Sequence, residues 1–87
     1  MFHTGQFLAT PGVLAFCKEK GINPIHILLR HVACDWTEMC LADQRANKRA
    51  IEEGSRIFSA YVYHGEKVWV ITEASREATT LLLASEY

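Results

Sequence analysis

The run His31-Val32-Ala33-Cys34-Asp35-Trp36 puts an imidazole, a thiol and a carboxylate close together along the chain. Histidine exchanges a proton near neutral pH, so His31 is a candidate general acid or base. Cys34, three residues on, could meet it near a helix end as a nucleophile pair. No oxyanion donor or base-orienting group follows by spacing, and the segment has a plain structural use. His31 can bond the last carbonyls of a helix, Asp35 can cap the next turn, and Trp36 can fill a core. His31, Cys34, Cys40 and Asp43 are also legitimate zinc ligands. They lack the paired CxxC or HxxxH spacing of a zinc site, and a buried free cysteine often serves as a small apolar residue. No metal and no other cofactor is expected.

The turn Thr72-Glu73-Ala74-Ser75-Arg76, followed by Thr79-Thr80, is the other polar cluster. Arg76 offers a planar fork suited to phosphate or carboxylate, with the hydroxyls of Thr72, Ser75 and Thr79 beside it. Ordinary turn chemistry would instead bond Ser75 to the main chain and pair Arg76 with Glu73 or Glu77. Tyr61, Tyr63 and Trp69 can lie near one another across a hairpin. Such aromatics can stack bases or bury a protein partner, and they also stabilise hairpins by packing alone.

These residues must be positioned by a small scaffold. Eighty-seven residues (1–87) make one domain, and a hydrophobic fraction of 49% allows a modest core. The formal charge of −1 is neither the basic excess of a non-specific nucleic-acid binder nor the acidic excess of a DNA mimic. Cys17, Cys34 and Cys40 form no disulfide framework, which suits a reducing compartment. No apolar run approaches the ~18 residues of a membrane span, and the opening residues do not read as a signal peptide. The expectation is a soluble, cytoplasmic protein without membrane contact.

The fold class expected is α+β: three N-terminal helices, then a three-stranded antiparallel meander, with Gln6–Ala9 a short strand or an extended arm. Thr10-Pro11 and Asn23-Pro24 are helix starts. The first helix ends at Gly21, with Val13, Leu14 and Cys17 on one face. The second ends near Ala33 or Cys34. Its Ile25, Leu28, Leu29 and Val32 have the spacing of a buried stripe. The third helix spans Leu41 to Glu53, with Ala42, Ala46 and Ala50 along one side and Gly54 as its stop. Strands are expected at Arg56–Tyr63, Lys67–Thr72 and Ala78–Leu83, the first pair joined at His64-Gly65. Neither sheet face is cleanly polar, so helices should cover one and leave the other partly apolar. An apolar face or free edge favours a partner or self-association through that face or the third strand.

The segments ATPGVLAF, RHVACDW, RIFSAYVY and VWVITEASREATTLLLASEY together resemble a family of small bacterial proteins labelled plasmid-related, carried on plasmids and integrative conjugative elements. The resemblance spans nearly the whole chain. It implies that His31, Asp35, Trp36, Asn47, Ser59, Tyr61, Thr72, Glu73, Arg76 and Thr79 are the distinctive positions. Cys34 departs from it, since relatives carry glycine before the Asp-Trp pair. That weakens a nucleophile or zinc role for Cys34.

Two functions follow as expectations, and the residues do not by themselves define an enzyme. The first is an accessory protein of a mobile element that binds another macromolecule, above all a protein. One version is an inhibitor of host defence such as CRISPR interference or restriction. Its binding surface would draw on Asp35, Trp36, Tyr61, Trp69, Thr72, Glu73 and Arg76, and a homodimer is compatible with it. The alternative is a metal-independent ribonuclease, by fold-level analogy to small toxins, with RNA as substrate. There His31 would be acid or base, Arg76 would hold the phosphate, and Tyr61 or Thr79 would assist. That role requires His31 and Arg76 to share a cleft.

Overall fold

Thr10 and Asn23 each precede a proline, and each caps a helix. The structure, a computed structural model, describes residues 2–87. The Thr10 hydroxyl accepts the Val13 N–H at 3.3 Å and opens α1 (Pro11–Lys20). The Asn23 side chain accepts the Ile25 N–H at 3.0 Å and opens α2 (Pro24–Val32). The third helix, α3 (Leu41–Glu53), stops at Gly54. No helix is long and apolar enough to cross a membrane among the described residues.

The sheet that follows has four strands, ordered β1-β4-β3-β2. Strands β2 (Ile57–Tyr63) and β3 (Glu66–Thr72) form a hairpin through His64-Gly65. Both turn residues have positive φ, 50° and 79°, the type I′ geometry that matches strand twist. Strand β4 (Ala78–Leu83) lies antiparallel to β3. Strand β1 (Gln6–Ala9) then pairs with β4 in parallel. The expected three-stranded antiparallel meander is thus a four-stranded mixed sheet. A four-residue strand whose partner lies near the other end of the chain leaves no local pairing signal. Gly5 permits the approach: a Cβ there would lie 2.3 Å from the Glu77 carbonyl carbon. The expected third strand, β4, is interior and has no free edge. Edge pairing through β4, one of the routes expected, therefore has no open strand edge to use.

Side-chain alternation divides the sheet as its pattern suggested. Ile57, Ser59, Tyr61, Val68, Val70, Thr72, Thr79 and Leu81 face the helices and are buried. Val13, Phe16, Cys17 and Ile27 from the helices complete this core with Tyr61, Val68, Val70 and Leu81. A second cluster of Trp36, Ala50 and Ile57, joined by Phe2, Met39 and Ile51, fills the end beneath α3. The outer face carries Phe58, Ala60, Val62, Trp69, Ile71, Thr80 and Leu82.

Helices α2 and α3 are rotated away from the expected faces. In α2 the buried residues are Ile27 and His31, while Ile25 and Leu29 of the apolar stripe are 47% and 57% exposed. Leu14 of α1 is likewise exposed. In α3, Asn47 and Ala50 are buried, and Ala42 and Ala46 face solvent. Specific polar bonds set the rotation. His31 bonds side chains of β2 and β3, and Asn47 bonds the main chain of β2. A buried polar group without a partner costs about 1–3 kcal/mol, comparable to the gain from burying one more leucine.

Candidate functional site

His31 sits at the centre of a buried polar chain. Its Nδ1 lies 2.5 Å from Ser59 Oγ, and its Nε2 lies 2.8 Å from Thr72 Oγ1. Trp36 Nε1–H donates to the same Ser59 oxygen at 2.8 Å. Thr72 Oγ1 lies 2.7 Å from Thr79 Oγ1, which donates to the Thr4 carbonyl at 2.7 Å. The carbonyl can only accept, so the direction of every bond follows. Thr79 spends its proton on Thr4 and must accept from Thr72. Thr72 must then accept from His31 Nε2–H. His31 Nδ1 is left as an acceptor for the Ser59 hydroxyl, which in turn accepts from Trp36. The ring is a neutral Nε2–H tautomer with no solvent exposure, and burial depresses its pKa to about 4.

Arg76 does not join it. Its Nη1 donates to the carbonyls of Ser55 (2.7 Å) and Glu73 (3.0 Å), and its Nη2 donates to Ala50 (3.1 Å). The guanidinium thus closes the C-terminal end of α3 onto the turn before β4, whose own residue Arg76 has φ 62°. Ser75 accepts the Glu77 N–H, as turn chemistry suggested. Glu73 takes part through its main chain, donating to Ala78 O. The acid–base and phosphate-holding residues of the ribonuclease reading are therefore each engaged with the protein's own groups. Thr79 is fully buried in the polar chain, and Tyr61 donates its hydroxyl to Asp35 O at 2.9 Å. Burial pushes the Tyr61 phenol up to about 12.

The expected neighbourhood of Tyr61 and Trp69 divides between the two faces. Tyr61 opposes Val68 on the helix side, whereas Trp69 opposes Ala60 on the outer side. Cys34 has φ 59°, the left-handed conformation that glycine adopts with least cost, at the residue where the resemblance expects glycine. No three His, Cys, Asp or Glu side chains are placed to hold a metal ion among the described residues.

Arg30, which sequence reasoning passed over, is the hub of the loop after α2. Its Nε bonds Asp35 Oδ2 at 2.8 Å, Nη2 bonds Glu38 Oε2 at 2.7 Å, and Nη1 donates to Tyr63 OH at 3.0 Å. Its carbon Cζ lies 4.1 Å from the Tyr61 ring centroid. Burial opposes the Arg30 charge, but bonds to Tyr63, Glu38 and Asp35 outweigh it and raise its pKa. The same Arg30 bond, with the Thr37 hydroxyl, holds Asp35 below the usual carboxylate range. The acidic partners at i+5 and i+8 fall outside the helical spacings that flag an ion pair.

This network sets the edge of β2. Glu38 Oε1 accepts the Val62 N–H at 3.1 Å, and the Asn47 amide clasps Phe58 through its N–H (3.0 Å) and C=O (2.6 Å). Two side chains thereby occupy the positions an added strand would need. Beside them, on the outer face, Phe58, Ala60, Val62, Lys67, Trp69 and Glu38 line an open depression of about 280 Å³. A second depression, of about 240 Å³, lies beyond Phe58 between Met39, Asp43 and Arg56. Trp69 stacks edge-on against Phe58 (5.0 Å) and Tyr87 (5.4 Å), and Val62 is 56% exposed. The depression has an apolar floor, a carboxylate and an ammonium at its rim, and no acid–base pair. No protein family, curated protein or solved structure matches this chain.

Proposed function

We propose that the chain acts by binding another protein through the outer face of its sheet. The observation that carries the reading is the apolar depression at Phe58, Ala60, Val62 and Trp69. Strand alternation turns these side chains away from the core, and they leave an open apolar surface rimmed by Glu38 and Lys67. Such rimmed apolar patches suit protein partners, with an aromatic residue as anchor. Of the residues expected to bind, Trp69 lies on this surface. Asp35, Trp36, Tyr61, Thr72 and Arg76 act behind it as supports, and Glu73 lies in the exposed turn. The setting on a mobile element, and the version that inhibits host defence, rest on the resemblance alone. The ribonuclease alternative draws no support from the geometry, because His31 is sealed and Arg76 is spent on carbonyls.

The test is a photo-reactive side chain at Val62, with Lys48 on the exposed face of α3, away from both depressions, as control. Expression in a bacterial host should yield a discrete crosslinked partner from Val62 only. The same partner should be lost from the Val62→Asp variant, which should still unfold cooperatively. Equal labelling from Lys48, or a partner indifferent to Val62→Asp, would reject the outer face as the contact.

A further inference from the structure

The two edges of the sheet are treated differently. At β2, Asn47 takes both outward main-chain groups of Phe58, and Glu38 takes the Val62 N–H, so Ala60 between them is flanked by blocked positions. At β1 the outward groups are open. Gln6 N–H donates to Glu77 O and Thr10 N–H to Leu81 O, which fixes the phase of the strand. Gln6 and Leu8 turn their main-chain groups toward β4, so Phe7 and Ala9 turn theirs outward. Among the described residues nothing bonds the outward N–H or C=O of Phe7 or Ala9. Between them Leu8 holds its side chain on the outer face, 41% exposed.

We infer that two copies of the chain associate through β1, antiparallel about a two-fold axis at Leu8. In that register Phe7 of each copy opposes Ala9 of the other. Each such pair exchanges both of its N–H···O bonds, so all of the open groups of both strands are satisfied. Leu8 then faces Leu8 of the second copy as a non-hydrogen-bonded pair, the arrangement that brings side chains closest. Centring the axis on Phe7 or on Ala9 satisfies fewer groups, because Gly5 has φ 62° and Pro11 starts a helix. The occupant is a second copy because the pattern is complementary to itself and the exposed leucine meets its own kind. With side chains on Phe58 and Val62, β2 leaves no run of free groups along which a strand could pair, so pairing through β1 closes at a dimer and does not run on into a filament. The contact is small, so the dimer is transient and populated at high concentration. This inference stands apart from the reading above, which uses the outer face at the other edge.

The experiment is sedimentation of wild type, Leu8→Lys and Leu8→Glu, alone and mixed, up to millimolar concentration. Wild type should dimerise. Each charged variant should raise the dissociation constant about tenfold or more, since like charges face across the axis. The equimolar mixture should recover association. A Leu8→Cys variant, with the exposed Cys40 changed to serine, should form a disulfide dimer under mild oxidation, and Val62→Cys in the same background should not. A wild type that stays monomeric throughout overturns the proposal. So does a dimer indifferent to charge at Leu8, or one that crosslinks through Val62→Cys instead.

Discussion

His31 is held by partners that fix its protonation as firmly as its position. Protonating Nδ1 would place an N–H against the Ser59 hydroxyl, whose oxygen already accepts from Trp36. The unfolded side chain titrates near 6.5 and the folded one near 4. Between those values the unfolded state holds more protons, so stability rises with pH from about 4 to about 6.5 and is full above that. The loss on acidification through this window is roughly 3 kcal/mol. Urea unfolding at a series of pH values should show this slope, and His31→Gln should flatten it. An unchanged slope in the variant would assign the effect to other groups. The importance of His31 was legible as a residue type at a helix end, but its role was not. The sequence invites a C-terminal cation, and only the hydroxyls of Ser59, Thr72 and Thr79, far along the chain, make it a neutral core residue.

At the scale of elements, the caps, stops and strand alternation were legible because each depends on neighbouring residues. Thr10-Pro11, Asn23-Pro24, Gly54 and His64-Gly65 all act where the spacing placed them. The helix rotations were not legible. An apolar stripe such as Ile25, Leu28, Leu29 and Val32 reports which residues are greasy, while one buried polar anchor decides which side is turned in. Asn47 is the clearest such anchor, since its amide takes the place of a neighbouring strand at Phe58. Asn47→Ala should destabilise the fold by about 2–3 kcal/mol, through two lost bonds to buried main-chain groups. It should also free the β2 edge and leave each chain with two open edges, so that concentrated samples aggregate as Asn47→Ala but not as Leu8→Lys Asn47→Ala. Light scattering of the two would decide it. Arg76→Ala should cost less, about 1–2 kcal/mol in urea unfolding, because its carbonyls are nearer to water.

Across the whole molecule, the outward position of β1 and its parallel pairing escaped the sequence because they join distant segments. Trp69 was legible as a surface aromatic, and the depression around it needed the sheet to be assembled. Central strands β3 and β4 should hold the most slowly exchanging amides in native-state hydrogen exchange. Leu8, tied only on one side, should exchange sooner through local opening. Equal protection of Leu8 and Val70 at low protein concentration would contradict that. The parallel pair also has a consequence for synthesis. The Thr4 carbonyl and the Thr79 hydroxyl that binds it are 75 positions apart. At about 5–20 residues per second, a ribosome takes roughly 4–15 s to cover that interval. The first strand made is therefore the last to find its place, and α1, α2 and α3 are all complete before β1 has anything to pair with.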